Sequence, residues 1–370
     1  MSKPCVAIFR KRLLSYSETF IADQGQLLPS YKPVFCGFET ETSGIDLIEN
    51  AQRLVLADYS SMLPLAKLLF RKGFGGGGHW IEAIRQQAPG LVHAHFFNDG
   101  LDAIRLGRKL DVPTIATVHG HDITKHENVG AQISQRNHFF EQIDRVIAVS
   151  DFIASQALAR GCPQSKLIQH YIGIDLEKFQ QPKRETDTPT LLFVGRLVEK
   201  KGCSYLLQAM EILKPRYPEL KLTIIGTGDL ETPLRQEAAT RQLNVEFAGT
   251  ASAAQIREQL AQSWLFVAPS ITAANGDAEG LGMVFLEAQA LQTPVVSFRS
   301  GGVVEAVADE STGLLCDEKD IDSLAHNIET LLENSSLRHN MGLKGRARVE
   351  DNFDVRKQCA KLEQIYDTLS

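Results

Sequence analysis

No apolar run in this 370-residue chain approaches the ~18 residues a helix needs to cross a bilayer, so the sequence predicts no membrane-spanning segment. The run Val6 to Phe9 is too short for the apolar core of a signal peptide before Arg10-Lys-Arg12 intervenes. The chain is therefore expected on the cytoplasmic side of the membrane, free or peripheral at its inner face. It has no Cys-x-x-Cys pair: its six cysteines are scattered at positions 5, 36, 162, 203, 316 and 359, as expected of reduced thiols filling a core and not of a disulfide frame or a zinc site. Excess positive charge is also missing. A net charge of -6 with a pI near 6.0 argues against a nucleic-acid partner, because binding a phosphate backbone needs a basic surface that displaces counterions. Nor is there a fixed-period repeat, which excludes a solenoid.

What is present is an alternation. Short apolar runs at Val6–Phe9, Val34–Phe38, Leu91–His95, Thr114–Val118 and Val146–Val149 read as strands separated by longer amphipathic stretches, the rhythm of a parallel α/β sheet. A polar, proline-containing stretch from Gln180 to Pro189 reads as a linker, after which the rhythm restarts at Leu191–Val194, Leu222–Ile225, Val245–Phe247, Leu265–Val267 and Pro294–Phe298. The end, Ser323 to Leu369, is helical in pattern with a break near Asp351-Asn352-Phe353. With 43% hydrophobic residues and this length, two domains are expected.

Two stretches carry chemistry. In Glu279-Gly-Leu-Gly-Met-Val-Phe-Leu-Glu287, Gly280 and Gly282 free the backbone just before a helix-forming run, which predicts Glu279 ahead of the first turn and Glu287 on the helix. Unpaired N–H groups at such a helix start favour phosphate, and two carboxylates at most ~12 Å apart suit one extended ligand with hydroxyls at both ends. In Thr190-Leu-Leu-Phe-Val-Gly-Arg-Leu-Val-Glu-Lys-Lys-Gly202, a strand gives way to Gly195-Arg196 and then to Lys200-Lys201. Ligands bind at the carboxyl ends of strands in open α/β sheets, and Arg196 with Lys201 can neutralise a diphosphate there. Either stretch alone could be a solvated surface; the pair favours a nucleotide-sugar site.

These residues resemble the retaining glycosyltransferases of family 4, and the match extends to Ile172-Gly-Ile-Asp175, Ile225-Gly-Thr-Gly228, Ala268-Pro-Ser270 and Ser300-Gly-Gly302 with Glu305. Ser17-Glu-Thr-Phe-Ile21 and Val118-His-Gly-His-Asp122 more narrowly resemble the transferases that build bacterial exopolysaccharides such as colanic acid and amylovoran. The resemblance implies a GT-B fold, two Rossmann-like parallel-sheet domains facing across a cleft: residues 1–172 for the acceptor, 173–352 for the nucleotide sugar, and a last helix, 353–370, returning to the first domain. It implies a metal-independent transfer that keeps the anomeric configuration and needs no cofactor. The donor is a nucleoside-diphosphate sugar, UDP-sugar first and GDP-mannose second, and the acceptor is a saccharide or lipid-linked saccharide. By similarity Glu279, Gly280, Leu281 and Gly282 hold the donor sugar and phosphate, Glu287 takes the ribose hydroxyls, Gly195, Gly226 and Gly228 belong to the donor site, the base lies against the strand and turn around Gly226 to Gly249, and His119 reaches the transferred sugar.

The first half adds cleft candidates. Ser15-Tyr-Ser-Glu18 has the spacing of a helix capping box for a helix running to about Leu28, and Ser17, Glu18 and Thr19 would then face donor phosphate or acceptor. His93 and His95 alternate along one strand while His119, His121 and Asp122 follow another, so four imidazoles could gather at one sheet edge. No cysteine or carboxylate has ligand spacing with His93 and His95, so zinc is not expected; His95, His121 and Asp122 would position hydroxyls, with a hydrogen-bonded structural role as the alternative for His93 and His95. Asp320-Ile-Asp322 looks like a metal motif but sits where a helix cap belongs. Between Met62 and Trp80, leucines and Phe70 mix with Lys67, Arg71 and Lys72, which reads either as a core-packed helix or as one that docks on anionic lipid. A nucleotide-sugar 2-epimerase or sugar phosphorylase shares the requirements of this cleft, and a noncatalytic sugar-binding module is a further alternative. A NAD-dependent dehydrogenase fits poorly, since Glu231 stands where the third glycine of Gly226-Thr-Gly228 would be.

Overall fold

Strand-forming residues gather into two main parallel sheets in the computed structural model, which describes residues 3–126 and 130–369. The first sheet contains β1 (Cys5–Phe9), β2 (Lys32–Gly37), β3 (Arg53–Val55), β4 (Pro89–His95), β5 (Thr114–Val118), β6 (Arg145–Ala148) and β7 (Leu167–Gln169), in the order β3-β2-β1-β4-β5-β6-β7. The second contains β8 (Thr190–Val194), β9 (Lys221–Ile225), β10 (Val245–Gly249), β11 (Leu265–Val267), β12 (Val295–Phe298) and β13 (Gly313–Cys316), in the order β10-β9-β8-β11-β12-β13. Every residue of β1, β5 and β12 is buried, as strands covered by helices on both faces require. Both sheets have the Rossmann order, and each has a switch point, between β1 and β4 in one and between β8 and β11 in the other. Strand addition reverses direction there, so the loops after those strands splay apart and leave a crevice.

The chain divides into two compact units, Met1–Ile123 with Glu127–Gly173 and Val355–Ser370, and Thr124–His126 with Ile174–Asp354. The short Thr124–His126 stretch thus joins the second unit, which a single cut at residue 172 does not anticipate. In the first unit lie α1 (Thr19–Gln26), α2 (Leu63–Lys72), α3 (Gly78–Arg85), α4 (Phe97–Leu110), α5 (Gly130–Gln142) and α6 (Asp151–Ala159). In the second lie α7 (Cys203–Leu213), α8 (Glu231–Thr240), α9 (Ala253–Gln262), α10 (Met283–Ala290), α11 (Ile321–Glu333) and α12 (Ser335–Asn352).

Helix α13 (Val355–Asp367) belongs to the first unit, where Val355, Cys359, Leu362 and Tyr366 enter the core with Val6, Ile8, Ile21 and Phe35. Their helical spacing builds one apolar stripe. The Glu363 carboxylate fixes the helix by accepting from the backbone N–H groups of Ser30 at 2.6 Å and Tyr31 at 2.8 Å. The terminal helical region has a break beyond the expected one: Asn334 caps α12, its side chain accepting from Leu337 N at 2.8 Å. Within the two main sheets, the strands the sequence did not announce, β3, β7 and β13, are three or four residues long and each is an edge strand.

Candidate active site

In the second unit the candidate residues fall on the loops after β8 and β11, the two strands that flank the switch point. The chain leaves β8 at Gly195 and runs alongside the loop after β9: Gly195 N donates to Ile225 O at 2.9 Å and Leu197 N to Thr227 O at 2.9 Å. Gly226 must be glycine, because its φ is +140° and a Cβ would stand 1.9 Å from Gly195 O. A Cβ on Gly228 would stand 2.5 Å from Leu197 O. After β11, the loop Ser270–Gly282 returns to α10, where Glu279 O accepts from Gly302 N at 2.9 Å. A Cβ on Gly302 would sit 2.0 Å from Gly280 O, so Ser300-Gly-Gly302 clamps the glutamate loop by backbone contact alone.

Glu279 and Leu281 are buried and Glu287 lies on α10 at intermediate exposure. Gly282 is the N-cap of α10 at φ +83° and has no side chain to satisfy the first-turn N–H groups. The buried Glu279 carboxylate pairs with Lys201 Nζ. Burial pushes its pKa up, but Lys201, then Lys200 and Arg196, outweigh that effect and hold it below the usual carboxylate range. Arg196 itself is exposed. The two lysines part company: Lys201 turns to Glu279, whereas the buried Lys200 turns to Asp277 at 3.0 Å. Glu199 accepts from Ala274 N at 3.0 Å, so the basic turn also pins the loop that carries Glu279. The Lys200–Asp277 and Glu199–Ala274 links were missed by sequence reasoning, because a loop 75 residues downstream gives no local signal.

In the first unit the candidates follow β1, β4 and β5. His95 Nδ1 lies 3.1 Å from His119 Nε2, and the rings stack at 5.3 Å. His93 is a structural residue, held by Tyr366 Oη and Thr117 Oγ1 at 2.7 Å each. Burial drives all three imidazole pKa values down, His93 to about 3; neighbouring imidazoles and, for His95 and His119, Arg10 push the same way, so the column is neutral at physiological pH. The buried Nδ1 of His119 has no hydrogen-bond partner among the described residues. Asp122 is occupied internally: it accepts from the N–H groups of His119 at 3.0 Å, Gly120 at 2.9 Å and Phe97 at 3.0 Å. His121 is exposed, its ring tilted against Phe96 with the centroids 5.5 Å apart.

The capping box does not close. Helix α1 starts at Thr19 and ends at Gln26, Glu18 is its N-cap without a side-chain cap bond, and Ser15 Oγ pairs with Ser17 Oγ at 3.2 Å. The glutamate half is made, Glu18 Oε2 accepting from Ser15 N at 3.1 Å while Oε1 pairs with Arg10; the serine half is missing, because Glu18 N donates to Ser15 O at 2.9 Å and not to Ser15 Oγ. Arg10 also pairs with the buried Asp99, donates to His95 O at 3.4 Å and lies over the Phe96 ring at 4.5 Å. Glu18 is thus a brace, while Ser17 stays exposed. The signal for Arg10 was its place directly after β1 at a switch point. Elsewhere, Asp320 caps α11 by accepting from Ser323 N at 3.0 Å, and among the described residues no group of three His, Cys, Asp or Glu is placed to hold a metal.

The Met62–Trp80 segment is α2, a glycine loop and the start of α3. Ala66, Phe70 and Trp80 are buried, Lys67 bonds Glu39 at 2.7 Å and Arg71 bonds Asp102, so two of its three cations serve the fold. Met62, Leu65, Leu68 and Phe74 face solvent, and no helix among the described residues is long and apolar enough to cross a membrane.

Two Rossmann-ordered sheets, one with cations and a glutamate-flanked helix tip at its switch point, define a sugar-nucleotide transferase of the GT-B class. Residues 175–348 match the family model for glycosyl transferases group 1, and residues 44–178 the model for glycosyltransferase family 4. The amylovoran biosynthesis glycosyltransferase AmsK of Erwinia amylovora is 30% identical over 76% of this chain and 70% of its own. A GDP-mannose-dependent monoacylated alpha-(1-6)-phosphatidylinositol monomannoside mannosyltransferase of Corynebacterium glutamicum is 33% identical over 68% of this chain and 69% of its own. In fold, the chain is similar to Anabaena HepE, solved with UDP and glucose, with a TM-score of 0.79 at 18% identity over 99% of this chain and 100% of that one. The chain belongs to glycosyltransferase family 4.

Proposed function

We propose that this glycosyltransferase moves a hexosyl group, with retention, from a nucleoside-diphosphate sugar to a saccharide or lipid-linked saccharide during assembly of a cell-surface polysaccharide. The observation that carries the reading is the ion pair between Lys201 and the buried Glu279, set beside Arg196 and immediately before an uncapped helix start. As the glycosidic bond breaks, charge gathers on the leaving diphosphate, so fixed cations and helix N–H groups lower the barrier more than they favour the ground state. Arg196 and Lys201 supply that charge from the protein, and the reading requires neither a metal nor a cofactor. Glu279 and the Gly280–Gly282 backbone orient the donor sugar, and Glu287 accepts from ribose. The leaving phosphate takes the acceptor proton as attack proceeds on the same face.

The neutral His119, with its open Nδ1, bonds a hydroxyl of the transferred sugar, and His95 fixes its tautomer. Asp122 and Glu18 act behind it, holding the loops that present His119, His121, Ser17 and Thr19. UDP-sugar is the favoured donor, supported by the fold likeness to HepE with UDP; GDP-mannose is second, supported by the Corynebacterium relative. Calorimetric titration with UDP, GDP, ADP and CDP is expected to show a clear preference for UDP. If no nucleoside diphosphate binds at millimolar concentration the reading fails, and a new nucleotide sugar formed from donor alone would replace transfer with epimerisation.

The lipid-linked acceptor brings the protein to the inner membrane face through the exposed Met62, Leu65, Leu68 and Phe74, with Lys72 beside them. Removing two leucines from an interfacial contact costs about 1.5–3 kcal/mol each. Leu65→Ser with Leu68→Ser is therefore expected to abolish flotation with anionic vesicles while leaving activity on a soluble acceptor intact. Unchanged flotation would sink the docking idea. Lys67 and Arg71 are unsuitable for this test, because both are bonded within the fold.

A further inference from the structure

We propose that a cavity of about 490 Å³ in the first unit, walled by α2, α4 and α5, is a binding site for a phosphate-bearing anion separate from the sugar-nucleotide site. Its charged lining is Lys11, Arg71, Arg105 and Asp102, with Ser134 and His138 adding further polar groups. None of the residues given a role in donor or acceptor binding lines it.

The charge balance carries the argument. Asp102 is at the base, its side chain 3% exposed, and three cations converge on it: Arg71 through Nε at 3.1 Å and Nη2 at 2.9 Å, Arg105 through Nη1 at 3.2 Å, and Lys11 Nζ at 3.5 Å. One carboxylate meets three cations on the wall, in a chain whose net charge is -6. Behind it Arg10 is shared by Glu18 and Asp99 and Lys11 stands 4.0 Å from Asp99, so four cations face three carboxylates and one positive charge is left over. Each guanidinium has five N–H donors, and Arg71 commits two of its nitrogens and Arg105 one to Asp102. Both side chains remain more than a third exposed, at 44% and 36%, so further donors are open to solvent. Asp102 holds the Nε–Nη2 edge of Arg71, and Arg105 is placed by its Nη1, which donates to Asp102 and to Leu101 O at 2.8 Å; two guanidinium groups positioned in this way suit phosphate oxygens. The volume accommodates a pyrophosphate or a phosphosugar. Arg71 shares α2 with the exposed Leu65 and Leu68, so the phosphate could arrive on a lipid or in solution.

The test is calorimetric titration of inorganic pyrophosphate into three full-length proteins: the parent, Lys201→Ala, which lacks the donor-site cation, and Lys11→Gln with Arg105→Gln. Arg71 and Asp102 are kept, so the buried carboxylate retains its partner and the melting temperature should stay near the parent's. Should the double variant melt low, Arg105→Gln alone serves. A pyrophosphate site that survives Lys201→Ala and weakens about tenfold or more in the Lys11/Arg105 variant supports the proposal, one charge-assisted hydrogen bond being worth that much. Binding that vanishes entirely in Lys201→Ala, or is undiminished in the double variant, overturns it. Flotation with phosphatidylglycerol vesicles separates the sources. Flotation lost along with pyrophosphate binding identifies a lipid headgroup; flotation that persists while pyrophosphate binding is lost identifies a free phosphate.

Discussion

Lys201→Ala is expected to lower kcat/KM by about two to three powers of ten, since one preorganised charge contact to a developing anion is typically worth about 3–4 kcal/mol. Two effects add. The leaving diphosphate loses a cation, and the buried Glu279 loses the partner that, more than Lys200 or Arg196, holds its carboxyl ionised. The second effect has a pH signature. A carboxylate whose folded pKa lies below its unfolded value contributes stability above about pH 4.5, and that stability is lost as pH falls through the folded value. Without Lys201, burial is opposed only by Lys200 and Arg196, so Glu279 gains its proton at higher pH and the acid limb of the activity profile moves up. Glu279→Gln removes the stranded charge, so adding it to Lys201→Ala should cost much less than the two single effects combined. Near-normal turnover in Lys201→Ala, measured by nucleotide release with acceptor present, would remove the residue from the reaction.

The places of Lys201 and Glu279 in the fold were legible in the sequence because strand ends and helix starts are set locally, although their pairing was not. Gly195-Arg196 closes an apolar run, Gly280-Leu-Gly282 opens a helix, and the short-range grammar of strand ends and helix starts locates both. Ten strands of the two main sheets were legible as well, most of them because strands covered on both faces read as continuous apolar runs. What the sequence hid is long-range and ionic. Nothing near Lys200 says that it turns away to Asp277, and nothing near Asp122 says that its carboxylate, beyond the adjacent N–H groups of His119 and Gly120, also takes that of the remote Phe97. The capping box failed at its serine half, where Ser15 Oγ pairs with Ser17 Oγ at 3.2 Å and Glu18 N donates to Ser15 O at 2.9 Å, while Glu18 still accepts from Ser15 N. The ion pair with Arg10 that takes the other carboxylate oxygen has no local signal either. Lys67 and Arg71 lie in a segment whose sequence reads equally as a core-packed helix or a lipid-docking one, and only Glu39 and Asp102, both remote in the chain, show that these two cations are paired within the fold.

Arg10→Met is expected to destabilise the first unit by about 3–5 kcal/mol, although Arg10 was first noticed only as an interruption of an apolar run. The methionine keeps the stem and removes the charge, which leaves Asp99 buried with Lys11 at 4.0 Å as its remaining cation and releases the Glu18 brace on the 15–19 turn. Burial already raises the Asp99 carboxyl above its usual value, with Arg10 and Lys11 opposing, so losing Arg10 raises it further. A carboxylate with a raised folded pKa favours the folded state when protonated and costs stability when ionised, so the variant's deficit should shrink as pH falls towards 5. The histidines act in the same direction: Arg10 depresses the pKa values of His95 and His119, and without it their protonation in acid costs the fold less. Urea unfolding of parent and variant at several pH values reads the difference directly. Because the penalty lies in an unpaired buried charge and not in lost packing, Arg10→Met with Asp99→Asn should recover a large part of the stability, whereas Arg10→Met with Glu18→Gln should recover little. A deficit independent of pH and untouched by Asp99→Asn would mean that Arg10 acts through its contact with Phe96 instead.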